Sequence, residues 1–178
     1  MKKLISIIIP MYNEEESLPY LYDRLTKLAD KIENYNMEFL FVNDGSKDNS
    51  LNIVKAYKKS DERVCYLNLS RNFGKEVAMA AALDYVRGDV VAIIDADLQD
   101  PPELIIDMLK YYEEGYDDVY AKRKSRKGET VLKKFTSHTF YRVLRSVSKV
   151  PIQEDTGDFR LLSRRAVEAL KEIGRAHV

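Results

Sequence analysis

Short β-branched apolar runs alternate along the chain with longer stretches whose apolar positions recur every three or four residues. "LISIIIP" has no polar alternation over most of its length and ends at Pro10, the pattern of a strand buried on both faces. The stretch that follows carries Leu18, Leu21, Leu25, Leu28 and Ile32 at helical spacing. "MEFLFVND" predicts a second strand, and "GSKDNSLNIVKAYKKS" a second helix opening from a Ser/Asp-rich turn. "RVCYLNLS" predicts a third strand, alanine-rich "GKEVAMAAALDYV" a helix that can lie close to a sheet, and "DVVAIID" a fourth strand bounded by Gly88. "PPELIIDMLKYYEEG" predicts another helix, with proline where a missing N–H costs little, and "DDVYAKR" a fifth strand. Alternating strands and helices predict one α/β domain: a Rossmann-like, mostly parallel sheet with helices on both faces.

Such sheets bind ligands outside the carboxyl ends of their strands. Three of these ends carry polar groups: "PMYNE", "NDGS" and "DADLQD". In an extended segment residues two apart share a side, so Asp95 and Asp97 are expected to face one object together. Two partly desolvated carboxylates that close repel. A divalent cation relieves the repulsion, and oxygen ligands without His or Cys point to Mg²⁺ or Mn²⁺, with Gln99 able to add a neutral oxygen. A bare D-x-D is short and common, however, and fits a solvated acidic turn equally well.

Composition narrows the classes. The chain has 178 residues, and its 29 basic against 29 acidic side chains argue against a nucleic-acid partner. Its one cysteine, Cys65, sits in apolar "VCYLNL" and excludes a disulfide framework; a small buried hydrophobe is the expected role. No apolar run reaches the length of a bilayer span, and "MKKLISIIIPMYNEEE" breaks at Pro10 and turns acidic, unlike a signal peptide. The final "IGRAHV", Ile173 to Val178, is what ATC GGA AGA GCA CAC GTC encodes, a string matching a widely used sequencing-adapter end. A domain over residues 1–172 with a non-native tail at 173–178 is therefore expected, the native gene continuing beyond it.

"DADLQDPPE" resembles the metal-binding signature of inverting family 2 glycosyltransferases of GT-A fold. The resemblance is strongest to the branch that loads polyprenyl phosphates, which includes dolichyl-phosphate mannose synthase and bacterial undecaprenyl-phosphate sugar transferases. "IIIPMYNEEESL", "FVNDGSKDNS", "LSRNFGKEVAMAAALDYVRGD" and "DTGDFRLLSRRAVEAL" fall in the same order, so it extends over residues 4–171. It implies that Pro10, Tyr12 and Glu14 pack against the donor's base and ribose, and that Asp44 accepts a hydrogen bond from the base. Many relatives pair two aspartates there, whereas this chain has Asn43 before Asp44. Locally, "NDGS" also fits a helix-capping turn through Ser46 or Asp48. The resemblance further implies that Asp95 meets the ribose side and the metal, and Asp97 the metal bridging the diphosphate. Arg71 and Lys75 of "SRNFGKE" either serve the donor or form a helix-start surface cluster.

On the acceptor side, Lys122, Arg123, Lys124, Arg126, Lys127, Lys133 and Lys134 precede a segment with apolar Val131, Leu132, Phe135, Phe140, Val143, Leu144 and Val147. A basic amphipathic helix of this kind lies in a membrane interface or covers the sheet as core. The resemblance favours membrane contact through residues 122–150 and gives Arg123 a phosphate contact; His138 is expected at the surface. Asp158 matches an acidic position treated as catalytic, and Arg160 a phosphate-holding position. A phosphate monoester with second pKa near 6 is already anionic at neutral pH, so Asp158 is read as positioning acceptor or sugar, with base catalysis as the lesser role. The implied activity is inverting, Mg²⁺- or Mn²⁺-assisted transfer of a hexose to polyprenyl phosphate, at the cytoplasmic face of the membrane and in cell-envelope glycan assembly. The implied donor is UDP-linked, with GDP-mannose the alternative; homo-oligomerisation is open. Rival readings are a saccharide acceptor, for which Asp158→Asn would abolish turnover, and a non-catalytic nucleotide-binding domain, disfavoured because "PMYNEE" stands where G-x-G-x-x-G would.

Overall fold

The computed structural model describes residues 2–122 and 156–175. Its contacts divide the chain into two units, residues 1–120 with 158–178, and residues 121–157; the account below concerns the first. The chain runs β1 (Lys3–Met11), α1 (Leu18–Lys31), β2 (Tyr35–Asn43), α2 (Ser50–Ser60), β3 (Val64–Asn68) and α3 (Lys75–Tyr85). It continues through β4 (Val90–Ile93), α4 (Leu104–Glu113), β5 (Asp118–Lys122), β6 (Thr156–Ser163) and α5 (Arg164–Arg175). The strands form a six-stranded sheet in the order β3-β2-β1-β4-β6-β5. β1 is parallel to β2 and β4, and β2 to β3, whereas β4 and β6 are antiparallel.

The unbroken apolar run of β1 follows from its central place. Ile5, Ile7, Ile8 and Ile9 are fully buried, because each face of a doubly covered sheet takes alternate side chains. On one face Ile8, Leu40, Val42, Val91, Ile93 and Leu162 pack with Ala78 and Ala82 of α3 and Val167 of α5. The alanines let α3 approach the strands closely, as its composition predicts. The opposite set, including Ile7, Ile9, Phe39 and Phe41, is equally buried. Tyr22 of α1 stacks on Tyr57 of α2 with ring centroids 4.0 Å apart, and Arg24 of α1 pairs with Glu103 beside α4. Cys65 is half-buried and packs against the core as a hydrophobe.

Two features depart from the pattern reading. β6 and α5 lie in "DTGDFRLLSRRAVEAL", where the pattern of apolar positions predicted no element, and β6 enters the sheet between β4 and β5. Pro101 and Pro102 lie in the turn before α4; their carbonyls accept the N–H groups of Leu104 and Ile105 at 3.1 Å, so they act as its first turn. α5 extends through residues 173–175 of the expected tail. Among the described residues no helix is long and apolar enough to cross a membrane.

Candidate active site

Parallel register aligns the strand ends: Met11 lies beside Asn43, and Asn43 beside Asn68. The Asn43 amide donates to the Asn68 side-chain oxygen at 2.7 Å and accepts the Ser46 N–H at 3.2 Å, so it ties β2 to β3. The loops after β1 and β2 are cross-linked. Asn13 N–H donates to Ser46 Oγ (3.0 Å), Glu14 N–H to Ser50 Oγ (2.8 Å) and Glu15 N–H to Asp48 Oδ2 (3.1 Å). Asn13 Oδ1 in turn accepts the Lys47 N–H at 2.8 Å, and Asn13 itself takes a left-handed φ of 56°. Asp48 also accepts from Ser50 N–H at the start of α2. Asn49 is the N-cap of α2 and makes no side-chain cap bond; Asp48, one residue earlier, holds the first helical N–H, while Ser46 serves the neighbouring loop.

Between these loops and the end of β4 lies a cleft of about 340 Å³, lined by Pro10, Met11, Tyr12, Glu14, Asp44, Asn72, Gly74, Lys75, Asp95, Ala96 and Asp97. Seven residues singled out from the sequence thus meet in one place. Tyr12 stands 40% exposed at the wall, leaving a ring face open to a flat ligand. Asp44 is buried, and its two oxygens accept the N–H groups of Phe73 (2.8 Å) and Gly74 (2.9 Å). It therefore fixes the loop leading into α3 as well as facing the cleft. Arg71 lies over the Phe73 ring, 4.7 Å from its centroid, whereas Lys75 lines the cleft and its Nζ stands 2.5 Å from Asp95 Oδ1. Of the two cations in "SRNFGKE", the lysine belongs to the site.

The D-x-D segment reaches the cleft by a different route from the one expected. β4 ends at Ile93, and Asp95 leads into a turn at Ala96 and Asp97 rather than continuing the strand. Asp97 Oδ1 accepts Gln99 N–H at 3.0 Å, and Leu98 takes φ 62°, a conformation that costs a bulky residue energy and is found where a turn must be held in one shape. Gln99 is exposed and does not line the cleft. Arg160 lies opposite Ile93 in the β4–β6 register, and its Nη1 stands 3.2 Å from Asp118 Oδ2. Arg123, His138, the basic segment and the Asp158 side chain fall outside the described residues. Met11, Asn72, Gly74 and Ala96 line the cleft without having been singled out; the glycine in "NFGKE" was the one signal for that loop.

The sequence profile of glycosyl transferase family 2 matches residues 6–171, nearly the whole chain. The chain belongs to that family. It is 47% identical over 168 residues to the uncharacterized glycosyltransferase YkcC of Bacillus subtilis, covering 94% of this chain and 52% of that protein. It is 42% identical over 167 residues to the prophage bactoprenol glucosyl transferase homolog of Escherichia coli, covering 94% and 54%. The chain therefore spans about half the length of these curated relatives. Among solved structures it resembles the mannosyltransferase PcManGT of Pyrobaculum calidifontis, in complex with GDP-Man and Mn²⁺, with TM-score 0.65 and 22% identity over 96% of this chain and 47% of the other. At that identity the likeness establishes the GT-A fold.

Among the described residues, no three His, Cys, Asp or Glu side chains group into a metal centre. The family's metal nonetheless fits the donor set. Asp95 and Asp97 offer hard oxygen ligands at one cleft, and Mg²⁺-type sites are commonly built from one or two carboxylates completed by substrate phosphates and water.

Proposed function

We propose that the chain is the catalytic domain of a hexosyltransferase that takes a sugar from a nucleotide donor, UDP-linked in preference to GDP-mannose, and gives it to a polyprenyl phosphate at the membrane surface. The observation carrying this reading is the meeting of Tyr12, Asp44, Asp95 and Asp97 in one cleft at the carboxyl edge of the sheet. The flat base of the donor stacks on Tyr12, and Asp44, held by the Phe73 and Gly74 amides, accepts from the base. Asp95 and Asp97 would hold Mg²⁺ or Mn²⁺, which when bound would supply charge neutralisation for the leaving nucleoside diphosphate. The acceptor's phosphate is already an anion near neutral pH, so the protein's task is to align it behind the anomeric carbon for in-line displacement with inversion. Arg160 and Arg123 are assigned to phosphate contacts, and Asp158 to positioning acceptor or sugar. The glucosyl transferase named among the relatives supports a polyprenyl acceptor. The native protein is proposed to continue beyond residue 172, which resequencing the locus would test.

Calorimetry of UDP, UDP-glucose, UDP-N-acetylglucosamine and GDP-mannose, each with Mn²⁺, Mg²⁺ or EDTA, tests the donor side. Cation-dependent uptake of at least one nucleotide is expected. Asp97→Ala should weaken it about tenfold or more, because the ion's contact with the diphosphate is lost. Uptake indifferent to EDTA and to Asp97→Ala would overturn the assignment.

A further inference from the structure

Resting on that reading, the Lys75–Asp95 contact points to a rule of assembly for the site. Lys75 is the first residue of α3, and its ammonium stands 2.5 Å from one oxygen of the carboxylate that would hold the cation. The two side chains are 32% and 28% exposed, so solvent screens the pair only in part. The ammonium's approach is set from the backbone. Asp44 holds the amides of Phe73 and Gly74 immediately before it. Gly74, at φ 97°, turns the chain into the helix, and a Cβ on Gly45 would meet the Arg71 backbone at 2.5 Å. The backbone of that loop is thus held close to the loop after β2, and a divalent ion arriving alone at Asp95 meets a positive charge already paired with that carboxylate, on a flexible stem that can be drawn to another anion.

A nucleoside diphosphate changes the balance. It brings negative oxygens beside both groups, and a lysine is a ready point-charge partner for phosphate. We infer that Lys75 is the resident counter-ion of Asp95, and that its transfer to the donor's diphosphate frees Asp95 for the divalent cation, so that cation and nucleotide bind cooperatively.

The test measures MnCl2 affinity of the 178-residue chain, by calorimetry or by the electron paramagnetic resonance of free Mn²⁺, without nucleotide and with saturating UDP or GDP. For the unaltered chain, nucleotide should tighten Mn²⁺ binding, and Mn²⁺ should tighten nucleotide binding by the same factor. Lys75→Met should bind Mn²⁺ alone about threefold to tenfold more tightly, bind nucleotide without metal more weakly, and show a smaller coupling factor. Lys75→Arg, which keeps the charge, should retain weak binding of Mn²⁺ alone. Circular dichroism and the melting temperature of each variant confirm that the folded state is being compared. Unchanged or weaker Mn²⁺ binding by folded Lys75→Met would overturn the inference while leaving the donor reading intact. If the unaltered chain takes up neither UDP nor GDP with Mn²⁺, the donor reading falls and this inference with it.

Discussion

Glu38 is a carboxylate buried in β2 at the edge of the sheet away from the cleft, 6% exposed at its side chain against 70% for its partner Arg87. It is acceptable there because every approach is answered. Ser6, its register partner on β1, donates its hydroxyl, and Arg87 donates both its backbone N–H (3.0 Å) and its guanidinium (3.0 Å at Nε). Burial pushes the Glu38 carboxyl up, but these hydrogen bonds and the arginine's charge outweigh it and hold the carboxyl below its ordinary value of 4.5. A lowered folded value means that stabilisation is complete above the ordinary value. It is lost as pH falls from there through the folded one. Glu38→Gln should cost about 1–3 kcal/mol at pH 7, and its urea midpoint should fall less than that of the unaltered chain between pH 7 and pH 3.5. Parallel acid profiles would show that Glu38 is not the titrating group.

At the scale of elements, the site is a set of loops held against one another by backbone donors and side-chain oxygens. Gly45 makes the tightest of these contacts. It has φ +70°, and an added Cβ would lie 2.5 Å from the Arg71 carbonyl carbon and 2.6 Å from Asn72 N. The opposing atoms are main chain and cannot swing away, so Gly45→Ala is strained by conformation and by space alike. A loss of about 1–3 kcal/mol is expected in denaturant unfolding, with weaker nucleotide uptake because the loop carrying Asn72, Gly74 and Lys75 must shift. The helices and the parallel strands were legible because each announces itself locally, β1 by an uninterrupted apolar run and α1 by leucines on one face. β6 was not. "TGDFRLLS" mixes charge with apolar residues, and its place between β4 and β5 depends on partners far away in the chain. The cleft residues were legible as a family pattern, yet neither the hold of Asp44 on Phe73 and Gly74 nor the Lys75–Asp95 contact can be read from spacing. Both join loops from different strands. Asp95 and Asp97 were expected on one side of an extended chain, whereas both line the cleft from a segment that turns at Ala96 and Asp97.

For the whole molecule, the decisive quantity is how the two substrates meet. Among the described residues, the cleft proposed for the donor is lined by residues that precede the basic segment, so nucleotide binding is expected of this chain. On the proposed reading the acceptor keeps its chain in the bilayer, so every attachment of the enzyme to that bilayer adds to the rate at which it meets the headgroup. Holding enzyme and lipid at one surface raises their effective concentration, an advantage of about 10²-fold or more. This chain spans about half the length of its curated relatives, and a protein of their full length should therefore transfer sugar to polyprenyl phosphate in vesicles at least about 10²-fold faster than the 178-residue chain at equal protein concentration. The two forms should differ little in nucleotide affinity. The comparison takes both proteins, one radiolabelled sugar nucleotide, Mn²⁺, and polyprenyl phosphate either in vesicles or in detergent. Detergent should narrow the gap, because it removes the advantage of a shared surface. A gap of the same size in detergent would place the missing contribution in the active site instead of in membrane attachment.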